Sequence, residues 1–151
     1  MPTSKMSYKE DKGFWIEESF MQLVFHYIYK ELIKSQYNLT NKNQLLEEMK
    51  FDIDGYTTGS MSLGWRRLIE SSSDIQTLIQ VLEHVKLDLN SKGMYISVQE
   101  LQNIQTEDNE FKYYYTHPFP ISGPIKIVNA LIQMLNGTWT ATNEYIEIDI
   151  A

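Results

Sequence analysis

The chain has 151 residues, no cysteine, 42% apolar residues and a formal net charge of −7 at pH 7. Its length fits one domain with a hydrophobic core of its own, and the lack of cysteine excludes disulfides and thiolate metal sites. The negative charge argues against nucleic acid and anionic membranes as partners, because both carry phosphate groups that repel an acidic protein.

The beginning of the sequence indicates a chain that stays in the cytoplasm. Residues 1–13 are polar and contain no apolar stretch that could serve as a secretory core. We expect them to form a flexible segment leading into a single globular domain over residues 14–151. No apolar run approaches the roughly 20 residues that a membrane-spanning helix needs. The sequence therefore predicts a soluble cytoplasmic protein.

The first third of the chain predicts a buried helix, a shorter helix and a loop. Residues 14–35 are apolar on almost every side of a helix, which is typical of a helix at the centre of a core. Residues 41–51 predict a second, short helix, and residues 52–64, with their three glycines, predict a loop. A polar stripe steps along the first helix by four residues: Glu18, Gln22, His26 and Lys30.

The middle of the chain predicts a long amphipathic helix followed by short elements. Residues 73–90 follow the 3.6-residue apolar period, and Ser73 to Gln76 has the pattern of a capping box. Residues 94–96 predict a brief strand. Residues 98–104 predict a short helix that Ser97 and Glu100 would cap.

The last third predicts strands around one more helix. Residues 111–116 are rich in aromatic side chains, which favours a strand, and we expect the following prolines to end it. Residues 122–136 predict a helix. Residues 145–150 alternate between isoleucine and acidic or polar residues, so they predict a half-buried strand with an acidic outer face, paired with residues 138–142. The predicted fold class is α+β: a helix-rich domain with a small, mostly antiparallel sheet near the C-terminus.

An acidic and aromatic stretch is the first candidate surface for a partner. Three acids run into three consecutive tyrosines: Glu107, Asp108, Glu110, Tyr113, Tyr114 and Tyr115. In a strand, Phe111, Tyr113 and Tyr115 would face the core and Tyr114 would lie outside, near the acids. Surface tyrosine is a rigid contact residue that interfaces favour. A solvated turn before an ordinary buried strand fits the same residues, and the sequence leaves both readings open.

Two further segments carry candidate contact residues. The glycine loop contains Asp52, Asp54 and Tyr56, and it matches neither a phosphate-binding nor a calcium-binding pattern. The tail contains Glu144, Glu147 and Asp149, which would add to the charge of the first surface if the two predicted strands were neighbours.

The sequence predicts no catalytic residue, no metal and no cofactor. Its three histidines, His26, His84 and His117, lack the spacing of metal ligands, and no nucleophile motif is present. A site assembled from residues far apart in the sequence remains open, because catalytic residues need not be neighbours.

The chain resembles bacterial immunity proteins of the contact-dependent growth inhibition type. The resemblance lies in its size, its acidity, its lack of cysteine and the runs "GFWIEESFMQLVFHYI", "GYTTGSMSLGWRRLIES" and "HPFPISGPIKIVNALIQMLNGTW". It implies a small cytoplasmic antitoxin that binds the C-terminal domain of a cognate toxin. It also implies that the toxin is often a basic nuclease, inhibited by a cover over its active site or substrate surface. No family motif is carried over residue by residue.

The leading hypothesis is therefore an immunity protein that neutralises a cognate, basic toxin domain and performs no chemistry of its own. An acidic regulatory or protein-interaction module unrelated to toxins is the alternative. A small enzyme with a site built from distant residues comes third. The sequence does not determine the oligomeric state or the activity of the toxin.

Overall fold

Within residues 2–150, which the computed structural model describes, the chain forms six α-helices and two small β-sheets. The helices are α1 (Glu18–Leu32), α2 (Lys42–Ile53), α3 (Trp65–Leu68), α4 (Ser72–Asn90), α5 (Val98–Gln102) and α6 (Ser122–Asn136). The strands are β1 (Thr3–Ser7), β2 (Gly13–Glu17), β3 (Tyr95–Ile96), β4 (Phe119–Pro120) and β5 (Glu144–Tyr145). The predicted class, helix-rich α+β with mostly antiparallel pairing and a strand near the C-terminus, is confirmed.

Helix α1 lies at the centre of the core, as its apolar composition predicted. It packs against α2, α4 and α6, and side chains such as Leu23, Phe25 and Ile28 are almost fully buried. Burying one such side chain stabilises the fold by about 1.5–3 kcal/mol. None of the helices in residues 2–150 has the length and hydropathy to cross a membrane.

A hairpin at the N-terminus was not predicted. Strand β1 pairs antiparallel with β2 along its whole length, so the segment predicted to be flexible includes a paired strand. Residues 14–17 belong to β2 and not to the long helix. Burial alternates along them, with Phe14 and Ile16 inside and Trp15 outside, which is the two-residue period of a strand. The error arose because a short apolar run is ambiguous between helix and strand.

Strand β5 lies on the other side of β2, giving the sheet order β1-β2-β5, and it runs parallel to β2. The strand predicted near the C-terminus is present, but it covers Glu144–Tyr145 and not residues 145–150, and its partner is β2 and not residues 138–142. The Gly13 N–H donates to the Ala141 carbonyl, and the Ile146 N–H donates to the Trp15 carbonyl, each over 2.9 Å. The tail therefore bonds to β2 and not to its own preceding segment.

The predicted strand at residues 111–116 is also wrong, because Phe111–Tyr114 is a 3-10 helix. Its turn is closed by the Tyr113 N–H, which donates to the Glu110 carbonyl over 3.0 Å. Aromatic residues favour strands, but here they follow the spacing of a helix. Phe111 and Tyr115 are four residues apart and both are 1% exposed.

The second sheet forms where the prolines were expected to end a strand. Phe119–Pro120 forms β4, which pairs antiparallel with β3, Pro120 lying opposite Tyr95. The ladder is only two residues long, so a proline at its edge removes little hydrogen bonding. The next residue, Ile121, donates its N–H to the Met94 carbonyl over 3.1 Å.

Serine caps begin two of the helices. The Glu100 N–H donates to the Ser97 hydroxyl over 3.1 Å, which confirms the predicted cap of α5. Helix α4 begins one residue earlier than predicted and its cap is Ser71, whose hydroxyl accepts from the Asp74 N–H over 3.0 Å. The box predicted at Ser73 is therefore wrong.

At Gly13 the backbone of β1 leaves no room for a side chain on β2. A Cβ at this position would lie 1.9 Å from the Met6 carbonyl oxygen, a backbone atom that cannot move independently. We expect Gly13→Ala to lower the free energy of unfolding by about 1–3 kcal/mol, the usual cost of overpacking. Chemical denaturation followed by circular dichroism measures this change.

The control is Ser7→Ala, the residue opposite Gly13 in the hairpin, which should change stability by less than about 0.5 kcal/mol. Equal unfolding midpoints for Gly13→Ala and the native chain would show that the hairpin does not have this register.

Candidate functional site

The structure brings two of the predicted surfaces together. The acidic turn, residues 106–110, lies against the C-terminal end of α2 and the start of the glycine loop. The Thr106 hydroxyl donates to the Ile53 carbonyl over 2.6 Å, and the Glu107 N–H donates to Asp54 Oδ1 over 3.0 Å. Lys50 also pairs with Asp54 Oδ1 at 3.0 Å. The first and second candidate segments therefore form one continuous region.

Gln22 of α1 connects these two segments from the buried side. Its side-chain amide donates to Asp108 Oδ2 over 2.9 Å and to the Ile53 carbonyl over 3.3 Å. Gln22 is only 4% exposed, and a buried amide without such partners would be costly. The polar stripe predicted along α1 thus has a structural role, and its spacing was the only sequence signal for it.

Asp108 holds the acidic turn in one conformation. Its backbone N–H donates to the Thr106 hydroxyl, and its Oδ1 accepts from the Glu110 N–H, both over 3.0 Å. Gly55, at a φ of +83°, lies so close that a Cβ there would be 2.9 Å from the Asp108 carboxyl group. The turn is therefore fixed by contacts on both sides.

The 3-10 helix that follows presents two tyrosines to solvent. Tyr113 is 77% exposed and Tyr114 is 40% exposed; we call them the tyrosine pair. The direction predicted for Tyr113, toward the core, is wrong. Tyr115 is buried instead, and its hydroxyl donates to the Ser19 carbonyl of α1 over 2.8 Å. Tyr115 therefore anchors the segment in the core, and only the tyrosine pair is exposed for contact.

The glycine loop contributes one exposed side chain from its three predicted contact residues. Asp52 and Asp54 are buried, 4% and 8% exposed, and their carboxylates accept hydrogen bonds within the fold. Tyr56 is 66% exposed and its ring lies 5.9 Å from that of Phe51, which is also exposed. Only Tyr56 has surface to offer a partner.

Glu18, the first residue of the polar stripe on α1, is a buried carboxylate that was not among the predicted contact residues. It is 3% exposed, accepts a hydrogen bond from the Ser4 hydroxyl, and accepts the Gly59 N–H over 3.1 Å. It thereby ties the glycine loop to the start of α1. A small cleft of about 70 Å³ opens beside it, lined by Pro2, Glu18, Ser19, Gln22, Thr58, Asp108, Glu110 and Tyr114.

The tail acids, Glu144, Glu147 and Asp149, are exposed. The tail acids were expected to add to the charge of the first surface if their strand neighboured residues 111–116. This condition is not met, because β5 pairs with β2 and residues 111–114 are helical. These acids therefore lie beside the first sheet.

The histidines lie in separate surroundings. Burial, aided by the charge of Lys30, lowers the pKa of His26 to about 4. His84 Nδ1 contacts the Tyr37 hydroxyl, and His117 is exposed. Among residues 2–150, no three or more histidine, aspartate or glutamate side chains are grouped so that they could hold a metal ion.

Asp52 is the group whose proton binding is most altered near neutral pH. Burial raises its pKa from 3.8 to about 7, the charges of Glu48 and Glu18 add to the rise, and the Thr57 hydrogen bond opposes it. Between pH 3.8 and about pH 7, Asp52 is protonated in the folded chain and ionised in the unfolded chain. Stability therefore falls as the pH rises through this window, and the loss is complete above pH 7.

We expect Asp52→Asn to remove this loss, since a neutral amide oxygen still accepts from Thr57. The variant should match the native chain at pH 4 and exceed its free energy of unfolding by at least about 1 kcal/mol at pH 8. Urea denaturation at several pH values measures the difference. The lowered pKa of His26 makes the stability of both proteins rise with pH below pH 6.5, by the same amount in each. The difference between the two proteins therefore reports on Asp52 alone.

The matched control is Glu47→Gln, an exposed position on the same helix, which should run parallel to the native chain at every pH. If the difference in unfolding free energy between the native chain and Asp52→Asn does not change with pH, the assignment to Asp52 is contradicted.

Comparisons with protein-family models, with curated proteins and with solved structures found no match for this chain. The acidic turn and the tyrosine pair are therefore the features that bear on function.

Proposed function

We propose that the protein is an immunity protein that binds a cognate bacterial toxin domain and neutralises it by covering its active site or substrate surface. One observation carries this proposal: the tyrosine pair is held out to solvent beside an acidic turn that the fold keeps rigid. Interfaces favour tyrosine because it supplies a large contact area at a low cost in side-chain entropy.

Rigidity supports a binding role for this surface. The acidic turn is bonded to α1 through Gln22 and to α2 through the Ile53 carbonyl and Asp54. The 3-10 helix is held from its other side by Gln102, whose amide donates to the Tyr115 carbonyl over 2.7 Å. A surface that is already ordered loses little entropy on binding, so more of the contact energy appears as affinity.

The charge of the surface indicates the partner. Glu107 and Glu110 are exposed next to the tyrosine pair, and the whole chain carries a net charge of −7. A nuclease presents a basic surface that attracts phosphates, and an acidic protein complements it. Complementary charge speeds association to about 10⁸–10⁹ M⁻¹s⁻¹ at low salt. The proposed partner is therefore a basic toxin domain, met in the cytoplasm.

The first test is protection of living cells. The C-terminal domain of the protein encoded by the gene directly upstream is expressed from an inducible promoter, with and without this chain. We expect growth to stop with the domain alone and to continue when the chain is co-expressed. Cells that die in both cultures would refute the proposed function.

The second test separates charge from contact in the association kinetics with the same domain. Glu107→Lys/Glu110→Lys should lower the association rate about tenfold at low salt, because both acids are exposed and steer the encounter. Tyr113→Ala/Tyr114→Ala should instead raise the dissociation rate by about tenfold or more, because it removes contact area. Surface plasmon resonance at two salt concentrations measures both rates.

The charge control is Glu47→Lys/Glu83→Lys, which reverses two exposed acids on α2 and α4. It changes the net charge of the chain by the same amount as Glu107→Lys/Glu110→Lys. The proposal expects the control to slow association clearly less. If both pairs of reversals slow association equally, the acidic turn is not the site of contact.

A further inference from the structure

The outer face of the first sheet carries an aromatic row that the sequence analysis did not identify. Register places Lys5 of β1 opposite Trp15 of β2, and Trp15 opposite Tyr145 of β5. Residues next to Trp15, Phe14 and Ile16, face the core, so the row lies on the opposite side of the sheet. Trp15 is 37% exposed and Tyr145 is 44% exposed.

Carboxylates border this row. Glu17 follows Trp15 by two residues and shares its face of β2. Glu17 and Glu147 line one groove together with Tyr145, so both acids lie beside the row. Burial raises the pKa of the Tyr145 hydroxyl, and the charges of these two acids raise it further. At the far end of the row, Lys5 is paired with Asp11 at 2.9 Å. The apolar centre therefore has an acidic rim.

A groove continues from the row along the tail. Its volume is about 460 Å³, and its lining includes Glu17, Phe20, Tyr145, Glu147, Ile148 and Ile150. Ile150 is 63% exposed, so aliphatic surface extends the aromatic centre. Aromatic side chains at the centre and charge at the edge are the arrangement of a protein interface.

This face adjoins the surface of the proposed function. Glu17 and Phe20 line the groove, while Glu18 and Ser19, between them in the sequence, line the small cleft beside Tyr114. The charge of Glu17 also acts on Tyr115, whose pKa is raised first by burial and then by this carboxylate. The two surfaces therefore meet where β2 ends and α1 begins.

We propose that the Trp15–Tyr145 row is the apolar centre of the partner-binding surface, and that it receives an apolar patch ringed by lysine or arginine on the toxin domain. The inference rests on the proposed function for the identity of that partner. Charge complementarity decides the occupant: Glu17 and Glu147 line the groove beside Tyr145 and give the rim its negative charge. A second copy of this chain would bring two such acidic rims together, which like-charge repulsion disfavours.

The probe is the C-terminal domain of the protein encoded directly upstream, titrated into the native chain and into Trp15→Ala/Tyr145→Ala. We expect the double variant to raise Kd about 100-fold or more, mainly through faster dissociation. The matched control is Met94→Ala/Tyr95→Ala in the second sheet, where the side chains are 75% and 49% exposed. The control should change Kd by less than about threefold.

Each outcome decides one question. If the native chain does not bind the domain, the proposed function fails and this inference fails with it. If the native chain binds and the double variant binds equally well, the inference alone is overturned. If sedimentation shows a native dimer that the double variant loses, the face is a self-interface and the inference is also overturned.

Folding is checked by circular dichroism and thermal melting of each variant. If the double variant does not fold, Tyr145→Ala alone replaces it, since that residue lies in an edge strand of two residues. The single variant should raise Kd about tenfold. An unchanged Kd for a folded Tyr145→Ala would then overturn the inference.

Discussion

Two buried polar side chains on the largely apolar helix α1 determine where the surface segments lie. Gln22 and Glu18 are one turn apart on α1 and almost fully buried, so each must find hydrogen-bond partners inside the fold. Gln22 finds the Ile53 carbonyl and Asp108, and Glu18 finds Gly59. Because these partners belong to the glycine loop and the acidic turn, satisfying α1 also positions both segments.

This constraint explains why an exposed contact surface can exist on a loop. Loops are usually the mobile parts of a domain, and a mobile loop loses entropy when it binds. Here the Asp108 carboxylate bonds the acidic turn to Gln22 of α1 and to the Glu110 N–H within the turn. The Thr106 hydroxyl and the Glu107 N–H bond it to the end of α2, and Tyr115 fixes the end of the segment through the Ser19 carbonyl. The tyrosine pair therefore lies on a segment that hydrogen bonds hold in place.

Periodicity predicted the helices well and the short strands poorly. Helices α2, α4 and α6 have apolar periods long enough to be unambiguous, and their positions were predicted to within a few residues. Strand β2 was missed because three apolar residues just before α1, Phe14, Trp15 and Ile16, continue the apolar pattern of that helix. The 3-10 helix was missed because its aromatic composition is typical of strands, while its conformation depends on Phe111 and Tyr115 both reaching the core.

The acidic residues show why a site is harder to predict than a fold. The sequence grouped Asp52 and Asp54 with Glu107 and Glu110, because all four lie in polar, loop-rich segments. The structure separates them by their neighbours: the first two are buried and accept hydrogen bonds from Thr57 and from the Glu107 N–H, while the last two are exposed. A buried carboxylate shapes the loop, and an exposed one projects charge toward a partner. Which role an acid takes depends on the N–H and O–H donors that the fold brings to it. For Asp52 the donor is only 5 residues away, but for Asp54 it is 53 residues away, where the local sequence gives no sign of it.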